Sequence, residues 1–87
     1  MGTISRSKPR TKKVTPIGLH IGNQMLKLRE KHRMSMSVTA AEAQMSIGFI
    51  CQIENGQSVP SALSLHRLSK VFHVSVGYWF KGFDEGE

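Results

Sequence analysis

The side chains able to do covalent or metal chemistry are few in this sequence, and they stand apart. His20, His32, His66 and His73 are scattered, and none pairs with another or with Cys51 at the short spacing of a zinc site. Cys51 has no partner that would activate it and reads as a small helix residue. No nucleophile–base pair and no carboxylate pair is visible, so neither an enzyme nor a bound metal or cofactor is expected. Two other groups carry the chemistry. Arg6, Lys8, Arg10, Lys12 and Lys13 stand in residues 1–16 without a single acid, which suits a polyanionic partner. Further along, Ile47, Gly48, Cys51, Gln52 and Asn55 fall on or near the outward side of one short helix, opposite Ile50 and Ile53.

These groups need a scaffold, and 87 residues allow one domain. The net charge is +6: a basic arm over residues 1–16, a mildly basic body, and an acidic tip where Lys81 faces Asp84, Glu85 and Glu87. A lone cysteine closes no internal disulfide, which fits a reducing compartment. The apolar runs are far shorter than a membrane span, and the N-terminus lacks a secretory pattern, so a cytoplasmic protein with no membrane association is expected. Residues 1–16 have almost nothing to bury and read as a flexible arm, followed by a domain over 17–81 and a short acidic tail over 82–87.

Within the domain the pattern is helical throughout. Ile21, Met25, Leu28 and His32 form the stripe of a first helix of about 14 residues, with Leu26 widening it and Gln24, Lys27, Glu30 and Lys31 on the other side. Arg33 stands where the chain turns. Ser35 caps a second helix with Val38, Thr39 and Ala43 facing inward, and Gln44 and Met45 make a short turn. Ser46 caps a third helix to about Asn55, closed by Gly56. Ser61 caps a fourth with Leu63, Leu65, Leu68, Val71 and Phe72 as its apolar positions. Ser75 caps a last short helix through Val76, Tyr78, Trp79 and Phe80. The class is all-α, with five helices and no strand signal.

Two short helices joined by about three residues have helix-turn-helix geometry. Ala40 is small where the third helix must approach, and Met45 can plug the gap between the two. At this point the sequence resembles a family. The stretches IGNQMLKLREKHRMS (21–35), MSVTAAEAQMSIGFICQIENG (36–56) and VPSALSLHRLSKVFHVSVGYWF (59–80) are similar, in order and without gaps, to the Cro/phage-repressor helix-turn-helix family, the xenobiotic-response-element type. The resemblance implies a five-helix lambda-repressor-like DNA-binding domain whose second and third helices form the helix-turn-helix.

The resemblance also implies roles. Arg29 would pair with Glu54 at the end of the third helix, tying helix 1 to helix 3. Bases would be read by Ile47, Gly48 and Gln52, with Phe49 beside them. The Gln52 amide can bond adenine N6 and N7 together, Ile47 can meet only an apolar group such as a thymine methyl, and Gly48 permits close approach. Phe49 either joins Ile47 or packs within the protein. Phosphates would be held by Ser46 at the helix end and by Asn55, Gln57 and Ser58 after it. The family's glutamine at the start of helix 2 is replaced by Met36, which moves that contact to Ser35 or Ser37. The arm residues Arg6, Lys8, Arg10, Lys12 and Lys13 would add phosphate or minor-groove contacts. Tyr78, Trp79 and Phe80 are candidates for a homodimer interface.

The function that follows is a prokaryotic or phage-encoded transcriptional regulator, a repressor by promoter occupancy, bound as a dimer to a pseudo-palindromic operator in double-stranded DNA. It would stand alone or form the DNA-binding part of something longer. Two other readings use the same fold: an antitoxin that also binds a protein partner, and a protein-interaction module, for which the apolar stretch Ile47–Phe49 argues.

Overall fold

In the computed structural model, which describes residues 14–84, every α-helix begins at a hydroxyl. Thr15 caps α1 (Pro16–His32), Ser35 caps α2 (Met36–Ala43), Ser46 caps α3 (Ile47–Glu54) and Ser61 caps α4 (Ala62–Phe72). Each side-chain oxygen accepts the N–H three residues on at 3.0–3.1 Å, satisfying a donor that the helix itself leaves unpaired. Pro16, assigned to the arm by composition, is the first residue of α1, where its missing N–H costs nothing. The expected fifth α-helix is instead a 3-10 turn, Val76–Phe80, and Ser75 stands before it without capping it. Five residues with a glycine among them offer too little to nucleate an α-helix, and tighter i→i+3 bonds such as Tyr78 N–H to the Ser75 carbonyl (3.0 Å) serve instead.

Three of the four connections are the same joint. Arg33, Gln44 and His73 each end a helix in the left-handed conformation, at φ of 57°, 60° and 60°. The next residue, Met34, Met45 or Val74, is half-buried against the core. Its N–H reaches back five residues, to the carbonyls of Arg29, Ala40 and Ser69, at 2.9, 2.9 and 3.0 Å. A serine follows at once and opens the next element. The remaining connection, from α3 to α4, is longer and turns at Gly56 with φ 77°.

The core gathers Ile21, Met25 and Leu28 from α1, Ala40 and Ala43 from α2, Ile50 and Ile53 from α3, Leu65, Leu68 and Phe72 from α4, and Trp79. Some expected inward positions lie outside. Leu65, Leu68 and Phe72 define the buried stripe of α4, and Leu63, two residues before it, falls on the far side and is 60% exposed. In α2, Thr39 is buried with its hydroxyl donating to the Ser35 carbonyl (2.9 Å), which turns its neighbour Val38 outward, 45% exposed. His32 is exposed and lays its ring against Phe72, 5.5 Å between centroids, while Leu26 also lies at the surface. Conversely, Gln24 is buried, because its amide donates to the Tyr78 carbonyl (3.1 Å) and ties α1 to the 3-10 turn. Ser69 does the same for α4. Its hydroxyl donates to the Leu65 carbonyl (2.7 Å) and accepts from Trp79 Nε1 (2.8 Å), so the indole is buried without an unpaired donor. Among the described residues no helix is long and apolar enough to cross a membrane.

Candidate nucleic-acid interface

The α2–α3 pair is set by side chains small enough to let it close and by one clamp. Ala40 and Ala43 lie buried at the crossing, and Met45 fills the joint between the helices. From the other side α1 crosses the end of α3 at contact distance. A Cβ on Gly22 would fall against the Ile53 carbonyl oxygen and 2.8 Å from that of Glu54, and one on Gly18 would lie 2.8 Å from the Gly56 oxygen. Arg29 locks this crossing. Its Nε and Nη2 both donate to the Glu54 carboxylate (Nη2 to Oε1, 3.1 Å), and Nη1 donates to the Met34 carbonyl at 2.8 Å. One guanidinium thus holds the end of α3 and the joint before α2 together. The hydrogen bonds that Arg29 donates to Glu54 push the guanidinium pKa above its ordinary value, against the smaller opposing effect of burial.

On α3, Gly48, Cys51, Gln52 and Asn55 follow the i, i+3, i+4, i+7 spacing of one helix face. Ile47 is 52% exposed at its start, whereas Phe49 is half-buried against the core rather than presented beside Ile47. Gln52 is half-buried, and Asn55 folds back over the helix, its amide 3.5 Å from Cys51 Sγ. Gly48 has no internal reason to be glycine. A Cβ there would find nothing nearer than Ser46 Oγ at 4.0 Å, and its φ is not positive. In a helix such a residue costs about 0.5–1 kcal/mol relative to alanine. Ser46 Oγ takes the Phe49 N–H, and the N–H groups of Ile47 and Gly48 have no carbonyl of their own helix to reach.

A family model described as Helix-turn-helix (HTH_3) matches residues 25–79, well over half of the sequence. The chain belongs to the HTH_3 helix-turn-helix family. Among solved structures it is similar to the crystal structure of an HTH_3 family transcriptional regulator from Vibrio cholerae, with 28% identity and a TM-score of 0.69. The likeness covers 76% of this chain and 38% of that regulator, so this chain spans well under half of the regulator's length. No curated protein matches the sequence.

Within this helix-turn-helix, the residues expected near phosphate sit at element ends. Ser35 and Ser37 are exposed at the start of α2 with their hydroxyls 3.1 Å apart, and Met36 between them packs on the core instead of reaching outward. Asn55 and Gln57 are exposed after α3, and Ser58 is half-buried. Arg6, Lys8, Arg10, Lys12 and Lys13 lie outside the described residues. Sequence reasoning passed over a deficit that was readable: from Met34 to His66 the chain has no lysine or arginine, only Glu42 and Glu54. Gly22 and Ser69 were passed over as well, and Gln24, expected on the polar side of the first helix, is buried. Of the three aromatic residues assigned to a dimer interface, Trp79 is wholly buried and cannot meet a partner, Tyr78 is half-buried against it edge-on, and Phe80 is 44% exposed.

Proposed function

We propose that this chain is a sequence-specific regulator of transcription that binds double-stranded DNA with α3 in the major groove. The observation that carries the reading is the outer face of α3: a short helix fixed at both ends, with Ile47 and Gly48 exposed, Gln52 half-buried one turn on, and Arg29 tied to Glu54 at its end. Ser35, Ser37, Ser46, Asn55, Gln57 and Ser58 are placed at helix ends and turns suited to phosphate. With no cation between Met34 and His66, the ionic part of binding falls to the arm. Val14, the first described residue, lies beside the end of α3, its Cγ1 3.1 Å from where a Cβ on Gly56 would stand. Binding as a dimer to a pseudo-palindrome, with half-sites about 34 Å apart, would use exposed Val76 and Phe80 beside Gly77. Repression follows from occupying a promoter.

Selection of bound sequences from a random DNA pool tests the reading. A symmetric motif is expected, and absence of enrichment even at low salt overturns it. The apolar, cation-poor face of α3 favours one second reading, a protein-interaction module, which predicts that second result.

A further inference from the structure

We infer that the cleft between α2 and α4 docks an acidic segment of a partner protein, held by Arg67 and Lys70 and anchored by an apolar side chain against Leu63 and Val71. The inference goes beyond the DNA-binding reading and does not need it. The cleft encloses about 500 Å³, with Glu42 on the α2 wall and Leu63, His66, Arg67, Lys70 and Val71 on the α4 wall. Helical spacing puts Leu63, His66, Arg67 and Lys70 on the side of α4 opposite its buried stripe of Leu65, Leu68 and Phe72. No acid balances these cations: from Asn55 to Phe83 the chain holds Arg67, Lys70 and Lys81 and not one Asp or Glu. Glu42 faces them across the cleft but stays out of ion-pair reach, and among the described residues neither Arg67 nor Lys70 forms an ion pair.

The lining selects the occupant. Two unpaired cations one turn apart attract an anion and steer its approach. Exposed Leu63 and half-buried Val71 suit an apolar side chain, which a phosphate backbone does not offer. The Glu42 carboxylate on the opposite wall repels phosphate, whereas it can accept from the N–H groups of a polypeptide. A segment with carboxylates flanking a leucine or phenylalanine meets all of these demands. α4 packs on α1, α2 and the 3-10 turn, and no residue of α3 lines the cleft, so a docked segment leaves Ile47, Gly48 and Gln52 uncovered. One copy of the chain can then hold its partner while α3 is engaged elsewhere.

The test selects from a random peptide library on the immobilised full chain, with counter-selection on Arg67→Glu to remove peptides held by the basic arm. The surviving peptides should carry two or more carboxylates beside a leucine or phenylalanine. Titrated by fluorescence anisotropy, they should bind Lys70→Gln about two- to fivefold more weakly and Leu63→Ser about fivefold more weakly. All three variants should melt within about 4 °C of the wild type, because these side chains are exposed. A peptide with lysine in place of its acids should bind Arg67→Glu better than it binds the wild type, which a merely structural effect of the substitution would not produce. No surviving sequence, survivors without acids, or survivors indifferent to both Lys70→Gln and Leu63→Ser overturns the inference. So does a fall in affinity of Arg67→Glu for random-sequence duplex DNA with no peptide selected, which assigns the face to nucleic acid instead.

Discussion

Removing the Arg29 guanidinium should unseat α3, and the size of the effect follows from its surroundings. Arg29 makes two hydrogen bonds to Glu54 and a third to the Met34 carbonyl. Its side chain is 16% exposed and that of Glu54 6%, so this is no surface pair of the kind that contributes at most about 1 kcal/mol. Nor is it fully enclosed, where breaking a pair costs about 3–5 kcal/mol. Arg29→Met keeps the stem but leaves the Glu54 carboxylate and the Met34 carbonyl without their donor, at a cost of about 2–4 kcal/mol. A domain of the 71 described residues has a total stability of roughly 4–10 kcal/mol, so a large share goes and the melting temperature should fall by about 10–20 °C. Because the hydrogen bond to Glu54 raises the guanidinium's pKa, Arg29 keeps its charge until strong alkali, so the contribution should be flat across neutral pH. Urea denaturation of the wild type, Arg29→Met, Glu54→Gln and the double variant gives the coupling directly. A coupling of about 2 kcal/mol is expected, and one below about 0.5 kcal/mol would refute the clamp.

Three further outcomes are expected. Gly22→Ala forces a Cβ onto backbone oxygens of α3 that cannot move aside, and should destabilise by about 2–4 kcal/mol or prevent folding, seen by circular dichroism. Gln44→Gly relieves a left-handed non-glycine residue and should leave stability unchanged or raise it by up to about 1 kcal/mol in thermal melts; a clear loss would show that the side chain itself matters. Ser69→Ala leaves the buried Trp79 N–H unpaired and should cost about 1–3 kcal/mol, with an altered indole fluorescence, whereas Ser64→Ala at the exposed start of α4 should leave that fluorescence untouched.

Local features of the fold were legible because their causes are local. Ser35, Ser46 and Ser61 cap by reaching three residues along the chain, and Arg33 and Gly56 turn it by their own φ. Side assignment failed where helices are short or buried polar contacts intervene. Over the eight residues of α2, periodicity alone does not decide between Val38 and Thr39, and the Thr39 hydroxyl settles it. Gln24 reads as surface until the Tyr78 carbonyl, 54 residues away, supplies its partner. Gly22 gave no signal because its meaning lies in an approach by another helix. On the candidate site, the positions on α3 followed from helical spacing, while the inward turn of Phe49 and the full burial of Trp79 depended on which neighbours closed over them.

The recurring joint bears on how such a domain changes over generations. The angle between α2 and α3 is produced by the triplet Gln44–Met45–Ser46, and the same construction joins α1 to α2 and α4 to the 3-10 turn. Nothing in that hinge is peculiar to recognising a nucleic acid. A lineage can therefore acquire, retarget or abandon DNA reading by replacing a few outward residues, without rebuilding the frame. Among the connections between the described helices, an insertion is least disruptive after Gln57 and before Ser61, because a residue added to any of the three triplets would break the reach of five residues on which the joint depends, a reach that the Gln57 N–H also makes to the Gln52 carbonyl. Length variation among homologues should concentrate there, and there a designer should add a tether or a label.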